Sequence, residues 1–95
     1  MTEWKPGPKS LKLFDKAQAI IPGGVNSPVR AFGSVGLKPF LVDRAKDAFV
    51  YDADGNEYVD FMASWGPLIL GHGNAGTQRA LLDAVSNGTS FGASH

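Results

Sequence analysis

Two side chains suited to gripping an anion, Ser27 and Arg30, stand three residues apart in the stretch from Ile21 to Phe32. The guanidinium is planar and can donate two parallel hydrogen bonds to a carboxylate. The hydroxyl can add a weaker, neutral one. The backbone around them is stiff. Pro22 and Pro28 hold φ near one value and lack a donor, and the chain around Asn26, which precedes Ser27 and Pro28, is pushed toward extended or turn geometry. Gly23 and Gly24 admit positive φ. The chemistry indicated is recognition of a carboxylate by a preorganised cation. A lone arginine in a loop is more often a solvated surface charge, and on these residues alone both readings stand.

Three other groupings have the residue types for chemistry and lack its setting. His72 has no second histidine, glutamate or cysteine at ligand spacing, so no metal site is expected. No nucleophile is placed beside it, and structural hydrogen bonds at a strand-to-helix turn are its expected role. Gly71-x-Gly73-x-x-Gly76 matches a dinucleotide fingerprint in letter, but the apolar run before it is three residues and follows an antiparallel hairpin. A glycine-rich turn into a helix is the better reading. Asp52-x-Asp54-Gly55-Asn56 has its glycine at the wrong position for a calcium loop and is read as a turn.

These groups need elements to position them. Residues 1–9, with two prolines and a glycine, read as a flexible arm. Ser10 is placed to cap a helix in which Leu11, Phe14, Ala17 or Gln18, and Ile21 share one face. Pro22-Gly23-Gly24 ends it. Phe40 to Val42 is expected as a short strand and the polar Asp43 to Asp47 as a turn. Ala48 to Asp52 and Asn56 to Phe61 are strands rich in Val, Tyr and Phe, joined at Ala53-Asp54-Gly55 with Gly55 at positive φ. After Gly71 to Gly76, Asn74 or Thr77 caps a second helix with Ala80, Leu81, Ala84 and Val85 as its buried face, and Asn87-Gly88 stops it. The expected class is α+β: an N-terminal helix, a small antiparallel sheet and a second helix.

The bulk numbers agree with a small unit. The chain has 95 residues, 43% of them hydrophobic, with nine basic side chains against nine acidic. A chain of this size forms one small domain or part of a larger one, with a thin core. The charge balance gives no footprint for nucleic acid. Cysteine is absent, which removes disulfides and thiolate chemistry. No apolar run approaches the roughly 18 residues of a membrane helix, and the polar start has no signal-peptide pattern. A soluble, cytoplasmic protein that binds neither nucleic acid nor membrane is the expectation.

Four pieces in order resemble one enzyme family: Asn26-Ser-Pro-Val-Arg-Ala-Phe32, Tyr51-Asp-Ala-Asp-Gly-Asn-Glu-Tyr-Val-Asp60, Ser64-Trp-Gly-Pro-Leu-Ile-Leu-Gly-His72 and Gly88-Thr-Ser-Phe-Gly92. They are similar to the N-terminal part of the glutamate-1-semialdehyde 2,1-aminomutase family. Those enzymes are class III aminotransferases of the pyridoxal-phosphate fold type I, and the resemblance runs from Ser10 to the chain end. It implies isomerisation of glutamate 1-semialdehyde to 5-aminolevulinate in tetrapyrrole synthesis by a homodimer using pyridoxal 5'-phosphate, which carries the chemistry. Carried over by position, it implies that Arg30 binds the substrate carboxylate, Ser27 assists, and Trp65 lines the substrate pocket. It assigns this segment no catalytic residue, no cofactor-binding residue and no metal ligand, since the family's Schiff-base lysine and phosphate loop lie further along the chain. On this reading residues 10–95 are the N-terminal segment of such an enzyme, truncated before the cofactor domain and inactive alone. The sequence departs from the family at Leu37, where a second glycine is usual, and at Asn74-Ala75, where His-Pro is. Two other readings stay open: another class III aminotransferase, or a non-catalytic fragment that binds a partner.

Overall fold

Helix α1 spans Pro8–Gln18 in a computed structural model that describes residues 3–94. It opens two residues before Ser10, the expected cap. Pro8 takes the first helical position, where its fixed φ fits and a missing N–H costs nothing. The N-cap is Gly7, which has no side chain to cap with. The amides of Lys9 and Ser10 donate instead to Asp54 Oδ1 and Oδ2, at 2.8 and 2.9 Å. A Cβ on Gly7 would fall 2.2 Å from Asp54 Cγ, so glycine makes room for this cap. The buried Ser10 turns its hydroxyl to the Leu41 N–H, accepting at 3.3 Å. Lys9, assigned to the arm, is therefore helical. Trp4 of the arm packs its ring 5.8 Å from Phe40 and 6.4 Å from Phe32. The expected apolar stripe is partly realised: Phe14 is 5% exposed, Leu11 and Ala17 are half-buried, and Gln18 and Ile21 lie outside.

Three antiparallel strands follow, β1 (Val42–Lys46), β2 (Phe49–Asp52) and β3 (Glu57–Val59), in sheet order β1-β2-β3. The β2–β3 hairpin is where it was expected, with Val50 opposite Tyr58 and Gly55 at φ +90°. Asp52 builds its turn: Oδ1 accepts from the Asp54 and Asn56 amides at 3.0 and 2.8 Å, and Oδ2 from Asn56 Nδ2 and Tyr58 OH at 2.8 and 3.0 Å. β3 ends at Val59, and Phe61, expected inside it, is exposed. The first strand differs more. Asp43 to Lys46, expected as turn, lies in β1, while Phe40 and Leu41 do not. The reason is that β1 is an edge strand. Its Asp43, Arg44 and Lys46 are exposed, as charges on edges commonly are. Arg44 lies 3.6 Å over the Tyr51 ring on β2. The true turn is Asp47-Ala48, with Asp47 at φ +52°.

Helix α2 spans Ala75–Ser86, capped by Asn74, whose Oδ1 accepts from the Thr77 amide at 3.0 Å. Its expected buried face is not buried. Every residue of α2 is exposed, Leu81 by 59%. No described element covers it, because α1 and the sheet pack on each other through Asp54, Ser10 and the Trp4–Phe40–Tyr58 rings. The radius of gyration, 16.4 Å, exceeds the about 12 Å of a compact chain this long.

Candidate functional site

The stretch holding Ser27 and Arg30 folds as two short 3₁₀ turns, Pro22–Gly24 and Pro28–Ala31. A proline opens each, where its preset φ suits the turn. Gly23 and Gly24 both have φ +72°. Ser27 is extended (φ −155°, ψ 129°), as the residue before a proline should be, and its carbonyl accepts from the Arg30 amide at 2.9 Å. Ser27 and Arg30 thus share one turn. Arg30 is exposed and donates through one guanidinium nitrogen to Asn26 Oδ1 at 2.9 Å, which leaves its other N–H groups for a ligand. It edges a cavity of about 430 Å³ whose walls include Phe14, Ile21, Val25, Phe40 and Val42. Asn26 and Arg30 bring the only polar side chains to that lining. The site is an apolar recess with a cation at its rim.

Trp65 stands elsewhere. It belongs to the 3₁₀ turn Ala63–Trp65 after β3 and is 73% exposed. Among the described residues no hydrogen bond or ring contact joins it to Ser27 or Arg30. The structure brings two of the three expected substrate residues together and leaves the third apart.

His72 sits where a structural hydrogen-bonding role was expected, in the turn that feeds α2. Its backbone exchanges two 2.8 Å hydrogen bonds with Asp47. Its Nε2 lies 2.6 Å from Asp60 Oδ2, with the two side chains 20% and 12% exposed. Hydrogen bonding from His72 first, then from the Met62 amide, holds the Asp60 carboxyl below the usual carboxylate range against the opposing effect of burial. Asp52 is also held low: burial pushes it up, and hydrogen bonds from Asn56, Tyr58 and the Asp54 amide outweigh that. Gly71 fits the turn tightly, since a Cβ there would lie 2.8 Å from the Asp47 carbonyl oxygen. Of the glycines in Gly71-x-Gly73-x-x-Gly76, Gly71 thus serves close backbone approach within the fold, and Gly73 takes a positive φ of 64°.

Sequence reasoning missed Asp60 and Asp54. For Asp60 a signal existed, because an aspartate two and three residues before free amides is the Asx-turn pattern. For Asp54 there was none, because its partners are 44 and 45 residues away.

Helix, small antiparallel sheet and helix make an α+β arrangement that this chain shares with solved transaminases. A solved transaminase with PLP bound superimposes with a TM-score of 0.76 at 37% identity, over 92% of this chain and 20% of that one. The aminotransferase class-III family matches residues 32–94, and the chain belongs to that family. The glutamate-1-semialdehyde 2,1-aminomutase of Clostridium novyi (strain NT) is 57% identical over 84 residues, 88% of this chain and 19% of that protein. The enzyme of the same name from Rhodopirellula baltica (strain DSM 10527 / NCIMB 13988 / SH1) is 52% identical over 87 residues, 92% of this chain and 20% of that protein. The chain therefore spans about a fifth of the length of the relatives it matches.

Proposed function

We propose that the protein carrying this segment isomerises glutamate 1-semialdehyde to 5-aminolevulinate, a step toward tetrapyrroles such as porphyrins. The 57% identity to an aminomutase of that name is the observation that carries this reading. In it Arg30 takes the substrate carboxylate, Ser27 adds a neutral hydrogen bond, and Trp65 forms an aromatic wall of the pocket. The geometry supports the first two roles. Both groups are held on the one turn that Pro28 opens, so little backbone freedom is lost when the ligand arrives. For Trp65 the support is its exposed ring on a defined turn. A cytoplasmic homodimer acting on this small molecule completes the reading.

Pyridoxal phosphate enters through the family. The described residues do not fit it: all six lysines are exposed. Lys46 gives its Nζ to the Gly73 carbonyl at 3.2 Å, and Lys38 lies 3.8 Å from Asp15. Nothing in that set resembles a buried amine against a phosphate cradle. This segment's part lies with the substrate.

The test is steady-state kinetics with glutamate 1-semialdehyde on the full-length protein. Arg30→Lys keeps the charge and loses the fork that fits a carboxylate. Losing one charge-assisted contact costs about 1.5–3 kcal/mol, which lowers kcat/KM about ten- to a hundred-fold. Ser27→Ala lowers it less, and pyridoxal-phosphate absorbance is unchanged in both variants. Full kcat/KM in Arg30→Lys, or loss of its cofactor, removes Arg30 from the substrate site. The rival within the family, a transaminase, consumes an external amine, and turnover that requires one would favour it.

A further inference from the structure

Ala63, Ser64 and Trp65 are three consecutive residues other than glycine at positive φ: 45°, 53° and 67°. Each is disfavoured, because Cβ crowds the carbonyl oxygen in the left-handed region. Such residues persist where their surroundings over-determine them, and they concentrate at functional sites. Here the surroundings can be named. Asp60 Oδ1 accepts from the Met62 and Ala63 amides, at 2.8 and 3.1 Å, which are the N–H groups that open the run. Asp60 Oδ2 receives His72 Nε2 at 2.6 Å. The Asp60 amide donates to the Ala48 carbonyl at 2.8 Å, and the His72 backbone is paired with Asp47. Asp47, His72, Asp60 and Ala48 thus form a closed circuit anchored on the β1–β2 turn. The strained run then closes on itself through Trp65 N–H to the Met62 carbonyl at 2.8 Å and Gly66 N–H to the Ala63 carbonyl at 3.0 Å.

We propose that Asp60 is a positioning residue: clamped by His72 and by the Asp47-Ala48 turn, its carboxylate holds Ala63-Ser64-Trp65 left-handed and so fixes where the Trp65 indole stands. An ionised carboxylate is the suitable group, because it accepts on both oxygens at once. Asparagine at 60 keeps one acceptor oxygen for the turn and can meet His72 only by donating, which requires the imidazole Nε2 to be the acceptor. His72 acts through Asp60. The positioning claim stands on this geometry alone, and its kinetic consequence rests on the reading of Trp65 as a substrate wall.

The experiment uses the full-length holoenzyme labelled with fluorotryptophan. Fluorine NMR follows Trp65, its resonance assigned by its absence in Trp65→Phe. Asp60→Ala is expected to move the Trp65 resonance toward its position in denatured protein. His72→Ala moves it partway, and His72→Gln, whose amide can still donate to Asp60, restores it. Under the substrate reading, KM for glutamate 1-semialdehyde rises about three- to ten-fold in Asp60→Ala while kcat stays within about two-fold. A Trp65 resonance that stays in place in folded Asp60→Ala overturns the proposal. Should that variant fail to fold, an unmoved resonance in His72→Ala overturns it equally. A resonance that moves while KM does not upholds the positioning role and removes Trp65 from the substrate pocket.

Discussion

Replacing Gly24 by alanine tests whether the loop that carries Ser27 and Arg30 is seated on α1. A Cβ at Gly24 would meet Gln18 Cγ at 2.6 Å, Phe14 Cε2 at 2.8 Å and Gln18 N at 3.2 Å. The exposed Gln18 side chain can swing aside. Phe14 cannot do so cheaply, since it is the one buried hydrophobic side chain among the described residues. Left-handed backbone without glycine costs about 1–2 kcal/mol, and over-packing adds about 1–3 kcal/mol. Gly24→Ala therefore destabilises the loop by about 2–5 kcal/mol. Gly23 is the control, for it has the same φ of +72° and its nearest neighbour would be Val25 Cγ2 at 4.0 Å. Gly23→Ala carries the backbone cost alone, about 1–2 kcal/mol. The assay is amide hydrogen exchange in the full-length protein at Ile21 and Gly24, whose N–H groups donate to the Ala17 and Ile21 carbonyls at 2.8 Å. With about 1.4 kcal/mol per tenfold, local opening accelerates exchange about 5- to 30-fold in Gly23→Ala and about 30-fold to several-thousand-fold in Gly24→Ala. Equal acceleration in the two variants would refute the seating of the loop on Phe14.

The remaining expectations concern the caps, the carboxylates and the bare helix. Asp54→Ala leaves the Lys9 and Ser10 amides without an acceptor, so their exchange quickens while the Asn56 amide, held by Asp52, stays protected; unchanged exchange at Lys9 and Ser10 would remove the cap. Asp52, Asp54 and Asp60 are all held below their ordinary value of 3.8. A depressed folded-state value contributes stability that is fully present above the unfolded value and lost as pH falls through the folded one. An acid titration by near-ultraviolet circular dichroism should therefore show loss of structure below about pH 4, at a lower pH for the parent than for a variant in which another group forms the Asp52 turn less well, such as Asp52→Ser. A signal flat down to pH 2 would contradict it. The isolated chain, with Leu81, Leu82 and Val85 of α2 exposed, is expected to self-associate. Sedimentation velocity should show less association for Leu81→Asp, and a monomeric parent chain would count against the expectation.

What the sequence made legible was local. The β2–β3 hairpin was readable because an Asp-Gly turn between β-branched and aromatic runs is chemistry of adjacent residues. The start of α2 was readable because Asn74 caps the helix it precedes. Around Ser27 and Arg30 the sequence made a stiff, turning backbone legible from Pro22, Gly23 and Pro28, and the structure resolves it into two 3₁₀ turns. Strand β1 was not readable, since an edge strand with Asp43, Arg44 and Lys46 has no buried face to impose alternation. Nor was the start of α1, whose cap comes from another element. The α2 face at Ala80, Leu81, Ala84 and Val85 shows the opposite case: its periodicity is real, and no described residue covers it. At the candidate site the Ser27–Arg30 turn followed from its own residues. The place of Trp65 did not, because it depends on Asp60 and His72 meeting across 12 positions of sequence.

The Asp54 cap has a consequence for synthesis. The chain leaves the ribosome from its N-terminus, so α1 emerges with the Lys9 and Ser10 amides facing water. Their acceptor is translated 45 and 44 residues later. At about 5–20 residues per second that is a wait of about 2–9 s, against microseconds for helix and hairpin formation. Through that interval the first turn of α1 frays and reforms many times. It becomes permanent only when the hairpin tip closes back on it, so completion of the first helix reports that the sheet has arrived.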